Sequence, residues 1–182
     1  KSGNPVKPNT MGFLVLKTPW PAMLRTLYKD DERYRKYWYT IDNVYTAGDL
    51  AVKGVDGYIM ILGRADDIII VSGHNMGTAE IESAVDEHPA VCETAVVGFP
   101  HDIKGQGIYA FVICYEKPAD EESLRKEIRE TVAKIIGPIA KPDKIQFVSG
   151  LPKTRSGKIM RRILRKVAEG DTSNRSEEHT SE

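Results

Sequence analysis

Between Pro152 and Lys158 the chain reads Pro-Lys-Thr-Arg-Ser-Gly-Lys before it turns apolar and basic. Small, flexible residues ahead of a lysine at a helix start supply loop N–H groups and an ammonium, which together can hold a phosphate or a carboxylate. The earlier glycine of a P-loop is missing, so the segment is not that motif. Taken alone, a solvated basic loop explains the same residues. From Lys144 to Ala168 no acidic residue occurs, while Lys153, Arg155, Lys158, Arg161, Arg162, Arg165 and Lys166 crowd together. Such a stretch suits a small anion, or makes a basic binding module for nucleic acid or another acidic partner. Against the second reading, Ile159, Met160, Ile163, Leu164 and Val167 share one helical face. That predicts a packed terminal helix with an apolar side to bury and a basic side left over.

The elements that must position this loop follow from periodicity and turn residues. The opening third is turn-rich, with Gly3-Asn4-Pro5, Gly12, Pro19-Trp20-Pro21, Gly48, Gly54 and Gly57 between short apolar runs such as Phe13 to Leu16. This predicts β structure, with a short helix over Asp30 to Tyr39. Tyr58 to Leu62 and Ile68 to Val71 read as two strands joined by the turn Gly63-Arg64-Ala65-Asp66-Asp67, as in a hairpin. Thr78 is a candidate N-cap for a helix carrying Ile81, Ala84 and Val85. Strands follow at Thr94 to Val97 and Ile108 to Tyr115. An amphipathic helix at Asp120 to Ile136 presents Leu124, Ile128, Val132 and Ile135 and stops at Gly137-Pro138. A strand at Lys144 to Val148 and a basic helix from about Ile159 to Val167 complete an α+β unit. Trp20 and Trp38 read as core, as do Cys92 and Cys114, while His101 and Lys104 read as loop residues with a structural or neutral role.

Composition sets the outer bounds. Hydrophobic residues make up 41% and charged residues 29%, and no apolar run approaches the length of a membrane span. The 26 basic and 26 acidic residues cancel, so mean charge favours neither a nucleic-acid nor a membrane partner. Two cysteines without paired spacing fit a reducing compartment, and hence a cytoplasmic location. Lys1 to Thr10 lacks the apolar stretch of a signal peptide and an initiating Met, and reads as mid-protein sequence. Residues 175–182 lack apolar character and resemble the in-frame translation of a sequencing-library adapter, so they are excluded from fold reasoning.

The residues also carry a resemblance. Pro152-Lys-Thr-Arg-Ser-Gly-Lys-Ile-Met-Arg-Arg-Ile-Leu-Arg-Lys166 resembles the C-terminal signature of AMP-forming acyl-CoA synthetases, most closely those that activate acetate. Tyr45-Thr-Ala-Gly-Asp49 resembles the Tyr-x-x-Gly-Asp motif of that family, and Gly63-Arg-Ala-Asp-Asp67 its hinge motif. Val71-Ser-Gly-His74, Gly77-Thr-Ala-Glu-Ile-Glu82 and Gly98-Phe-Pro-His-Asp-Ile-Lys-Gly105 are similar to the blocks that follow. The blocks run in family order from about Gly3 to Asn174, which gives each motif the context it needs.

The resemblance implies a fold: residues 1–65 would be the last, β-rich portion of a large N-terminal adenylation domain. Residues 66–168 would be a small mobile lid domain with a hairpin and a mixed sheet flanked by helices, and residues 169–182 a disordered tail. It implies an activity too, with ATP, coenzyme A and Mg2+ as cofactors and acetate as substrate, while this chain, lacking most of the N-terminal domain, would be inactive alone. No nucleic-acid and no membrane partner is expected. Lys158 would offset charge during adenylation, and would be a target for a lysine acetyltransferase and deacetylase. Asp49 would accept hydrogen bonds from the ribose hydroxyls of ATP. Arg64 would contact the nucleotide, and Asp66 would be the hinge. Ser72 and Gly73, followed by His74, would face coenzyme A, with Gly73 and Gly77 allowing close approach of its pantetheine arm. Asn75 stands where these synthetases often carry an arginine, so it can donate a hydrogen bond to the nucleotide but brings no charge. Ala133 replaces an arginine that binds the coenzyme A nucleotide in some relatives, with Lys134 beside it. A magnesium site would map to Asp86, His88 and Val91, working largely through main-chain carbonyls.

Overall fold

The computed structural model of the protein describes residues 3–41 and 44–170. The chain divides into two compact units, Lys1–Asp66 and Asp67–Glu182. Both are mixtures of helix and strand, an α+β protein with two separate sheets.

In the first unit, β1 (Met11–Leu16), β2 (Tyr45–Lys53) and β3 (Ile59–Arg64) form an antiparallel sheet in that order. A tight turn joins β2 to β3: Asp56 Oδ1 accepts from Tyr58 N–H, and Gly57 takes a φ of +89° that suits glycine alone. Helix α1 (Asp31–Tyr39) begins where Asp30 Oδ1 accepts the Arg33 N–H at 3.0 Å, with Asp31 and Glu32 in its positive first turn. Its end is tied to β2 by Thr46 Oγ1 donating to Tyr37 O, and by Tyr37 stacking on Tyr45. Trp38 packs edge-on against Tyr45, but Trp20 is 50% exposed and is not the core residue expected.

The second unit begins with the hairpin β4 (Ile68–Val71) and β5 (His74–Gly77). This corrects the expected pairing of Tyr58–Leu62 with Ile68–Val71. Both strands form, but β3 is already committed to β2, and β4 folds forward onto β5. The two-residue turn makes this possible: Ser72 and Gly73 both have left-handed φ, +50° and +82°, the geometry that matches the twist of paired strands. Helix α2 (Thr78–Asp86) has Gly77 at its N-cap with no side-chain cap bond, so Thr78 is its first residue, buried, and does not cap.

Strands β6 (Val91–His101) and β7 (Gly105–Cys114) pair along their length, and β7 returns through helix α3 (Glu121–Ile135) to the parallel strand β8 (Lys144–Phe147). A parallel neighbour requires such a crossover. Helix α3 is capped by Asp120, whose carboxylate accepts from Glu122 and Ser123 N–H, and it stops at Gly137, φ +139°. The sheet order is β5-β4-β7-β6, with β8 on β7.

Period-two alternation places one set of side chains on each face of β6 and β7, and both faces are covered. Val96, Ile108, Ala110 and Val112 meet Ile81 and Val85 of α2 and Leu124, Ile128 and Val132 of α3. Ala95, Val97, Phe99 and Phe111 meet Leu164 and Ala168 of the last helix, α4 (Arg161–Ala168), on the opposite face. Two expected core residues fall outside: Ile135 and Val167 are exposed, and Ala168 takes the inward place assigned to Val167. Cys92 is exposed, against expectation, whereas Cys114 is half-buried beside the core, where burial, and then the charge of Glu121, pushes its thiol up. Glu169 and Gly170 close α4 in a turn. The readings for residues 171–182 lie outside the described residues. Among the described residues, no helix is long and apolar enough to cross a membrane.

Candidate functional site

In the first unit the antiparallel register sets Asp49 opposite Arg64. Arg64 Nη1 lies 3.9 Å from Asp49 Oδ1 and donates to Ala47 O at 2.7 Å, while its Nε donates to Asp66 Oδ1 at 3.1 Å. Gly48 makes the arrangement possible. Its φ is +85°, and a Cβ there would stand 3.0 Å from the Arg64 guanidinium. Three of the predicted residues thus converge beside a cleft of about 320 Å3 lined by Phe13, Tyr37, Thr40, Arg64 and Asp66. A carboxylate with accepting capacity beside a planar cation suits hydroxyl and phosphate oxygens of one ligand.

In the second unit, Ser72 and Gly73 form the tip of the β4–β5 hairpin, exposed together with His74 and Asn75. The tip is tied down from below: Ser72 N–H donates to Lys104 O at 3.0 Å, and Ile70 N–H to the Gln106 side chain at 2.6 Å. Lys104 Nζ is held 2.5 Å from Asp143 Oδ1, and His101 Nδ1 accepts from the Ile103 and Lys104 N–H groups. His101 and Lys104 therefore act structurally, as expected. No atom of the described residues stands within 4 Å of a Cβ built on Gly73, so within the protein itself the glycine answers to its left-handed φ of +82°.

Lys158 sits on a loop that is a small hairpin of its own. Lys153 bridges Ile159, and Met160 N–H donates to Pro152 O at 2.8 Å. Inside that frame Thr154 N–H donates to Lys158 O at 2.8 Å, and Lys158 N–H donates to Thr154 Oγ1 at 3.1 Å. Gly157, φ +82°, closes the turn by donating to Thr154 O. Lys158 is exposed.

Sequence reasoning missed the groups that fix this loop in place. Lys153 Nζ lies 2.8 Å from Glu93 on β6. Arg161 Nη2 lies 2.8 and 2.7 Å from the two Glu82 oxygens, and Arg165 pairs with Asp67. The i, i+4 spacing of Arg161 and Arg165 signals one helical face, but nothing in the sequence points to carboxylates so far along the chain.

At the proposed metal position the side chains do not form a cage. His88 Nε2 faces Glu127 Oε2 at 3.4 Å, and its Nδ1 accepts from Ala90 N–H. Val91 offers only its main chain, and its N–H donates to His88 O at 2.9 Å. The Asp86 carboxyl is pushed up, chiefly by burial, and by nearby Glu93, against a lowering contribution from Thr94. No group of three metal-ligating side chains occurs among the described residues. Ala133 is half-buried on α3, and Lys134 beside it is exposed.

Residues 80–158 match the AMP-binding enzyme C-terminal domain. The chain is 54% identical over 171 residues to the acetyl-coenzyme A synthetase of Pyrobaculum aerophilum, covering 93% of this chain and 26% of that protein. To the acetyl-coenzyme A synthetase of Novosphingobium aromaticivorans it is 58% identical over 166 residues, covering 91% of this chain and 26% of that protein. Among solved structures, the anthranilate CoA ligase AuaEII in complex with anthranoyl-AMP superposes with a TM-score of 0.80 at 30% identity, over 90% of this chain and 31% of that one. The chain thus spans about a quarter of the length of the curated relatives it matches. The domain match, the sequence relatives and the fold agree: residues 80–158 form an AMP-binding enzyme C-terminal domain, and the chain is similar to part of the acetyl-coenzyme A synthetases.

Proposed function

We propose that the chain is the C-terminal part of an AMP-forming acetate–CoA ligase, using ATP and coenzyme A. The observation that carries this reading is the presentation of Lys158. Its main chain is held on both sides by Thr154, while its exposed ammonium pairs with none of the described residues. An acetate oxygen would attack the α-phosphorus of ATP, forming the acyl–phosphate bond as pyrophosphate leaves, and Lys158 would offset the charge that gathers there. The thiolate of coenzyme A would then attack the acyl carbon and release AMP, with Ser72, Gly73 and Asn75 toward coenzyme A and nucleotide. Asp49 would accept from the ribose hydroxyls, and Arg64 would donate to nucleotide oxygens, a reading supported by their convergence beside one cleft.

Residues 1–65 would be the end of the large domain and 66–168 the lid. Asp66 as hinge is supported by the division of the compact units between Asp66 and Asp67. Magnesium at Asp86, His88 and Val91 would be held largely through main-chain oxygens, since the His88 ring is engaged on both nitrogens and Val91 has no ligating side chain; no step is routed through it. The exposure of Lys158 supports reversible acetylation by a lysine acetyltransferase and deacetylase, which would remove its charge. Mass spectrometry that finds only unmodified Lys158 in the native protein, under varied acetate supply, would refute that. Two free cysteines support the cytoplasm. A nucleic-acid module is not favoured: Arg161 and Arg165 are taken by Glu82 and Asp67, leaving a smaller basic face than the sequence suggests.

Pyrophosphate exchange with acetate, ATP and magnesium tests the activity. The 182-residue chain should show none, and the full-length protein carrying it should exchange and lose that exchange in Lys158→Ala. Exchange by the short chain, or undiminished exchange in Lys158→Ala, overturns the reading.

A further inference from the structure

A lysine that must meet a reacting phosphate needs a fixed backbone, because four rotatable side-chain bonds already separate its charge from the chain. The loop that carries Lys158 has one side chain that supplies this fixation. Thr154 Oγ1 accepts the Lys158 N–H at 3.1 Å, while the Thr154 N–H holds the Lys158 carbonyl at 2.8 Å. The same hydroxyl lies 3.0 Å from Ser156 Oγ, so it is fixed from within the loop as well. Thr154 is β-branched, with a restricted χ1, so its oxygen stays where the amide needs it. Residues 153–158 are exposed, so Lys158 itself is not held by burial, although the neighbouring Ile159 packs against the core.

We propose that Thr154 is a positioning residue for Lys158, holding its main chain so that the ammonium reaches the reacting phosphate during adenylation; this rests on the reading of Lys158 given above. The hydroxyl takes no part in bond making. Its loss leaves the Lys158 N–H to water and lets the turn at Gly157 move. The second half-reaction, in which Lys158 has no part, does not depend on it.

Thr154→Val keeps the shape and removes the acceptor, and Thr154→Ser restores it without the methyl group. In the full-length protein, Thr154→Val lowers acetate-dependent pyrophosphate exchange about 10-fold, toward the roughly 100-fold that a misplacement of about 1 Å costs. Thioester formation from supplied acetyl-adenylate stays within about 2-fold, and Thr154→Ser recovers exchange to within about 3-fold of the parent. In the 182-residue chain, hydrogen exchange at the Lys158 amide speeds up in Thr154→Val and returns toward the parent rate in Thr154→Ser, a readout free of catalysis. Unchanged pyrophosphate exchange in Thr154→Val beside an inactive Lys158→Ala overturns the inference and leaves the role of Lys158 standing. Equal loss in both half-reactions, or no recovery with serine, also overturns it. If Lys158→Ala keeps full exchange, the reading of Lys158 itself fails, and this inference with it.

Discussion

Glu82→Ala should be among the most damaging single changes in the second unit. The Glu82 side chain is 12% exposed, and both its oxygens lie within 2.8 Å of Arg161 Nη2. One of them also accepts the Val96 N–H at 2.8 Å. Removing the carboxylate strands two donors. Breaking a buried pair from one side costs about 3–5 kcal/mol, and an orphaned buried N–H about 1–3 kcal/mol. Arg161, 25% exposed on its side chain, can recover part of this from water, although its Nε is buried without a partner. We expect a loss of about 3 kcal/mol. With a urea slope of about 1.5 kcal/mol per molar, the midpoint falls by about 2 M. Arg161→Met should cost less, since Glu82 keeps Val96, and the double variant should fall short of the sum of the singles by about 1–3 kcal/mol. Both tryptophans, Trp20 and Trp38, lie in the first unit. Tryptophan fluorescence therefore reports that unit alone, while far-ultraviolet circular dichroism reports both, so the shift should appear in the second signal and not the first. A cost below about 1 kcal/mol, or strict additivity with Arg161→Met, would refute the reasoning.

Two glycines separate strain from crowding. Gly73→Ala meets no atom and should cost only the left-handed φ, about 1 kcal/mol, whereas Gly107→Ala sets a Cβ 2.6 Å from the Phe99 ring and should cost about 2–3 kcal/mol, measured by urea unfolding; the reverse order would be fatal to this account. Asp86→Asn should stabilise the second unit near neutral pH. Because the folded-state pKa of Asp86 is raised, the wild type loses stability as pH rises from 3.8 through that folded value, so the gain from asparagine should vanish at or below 3.8; equal melting temperatures at neutral pH would count against it.

What the sequence made legible was local. The α3 helix could be read almost to the residue, because Asp120, the Leu124-Ile128-Val132 stripe and Gly137 are all short-range signals. The hairpin failed for an instructive reason. Gly63 to Asp67 looks like a turn, but Gly63 and Arg64 belong to β3 and only residues 65–67 turn; pairing depends on which partner is already taken, and the tight turn at Gly57 had committed β3 to β2. The Ser72-Gly73 turn required a non-glycine residue at positive φ, which composition rarely advertises. The candidate residues divided along the same line. Asp49 and Arg64 were legible as motif residues, while the register that faces them across β2 and β3 was not. Glu82, Glu93 and Asp67 were illegible as partners of Arg161, Lys153 and Arg165, since they stand far apart in sequence and meet only through packing.

Those unpredicted pairs also explain how an exposed loop can be accurate. Strand β6 ends the sheet, so its outward edge must be covered or paired. Glu82 covers it at Val96, and the same carboxylate holds Arg161, just after the lysine loop. Glu93, on β6, holds Lys153 at the start of that loop. The loop from Pro152 to Met160 is therefore fastened by charge-assisted bonds to β6 at one end and to α2 at the other, with Glu82 itself bonded to β6 at Val96. Between the fastenings residues 154–158 are exposed while Ile159 packs against the core, and the geometry of the exposed part passes to Thr154 and Gly157. Firm ends with an open middle leave the Lys158 ammonium unburied and its backbone fixed, the combination that a charge-offsetting lysine requires.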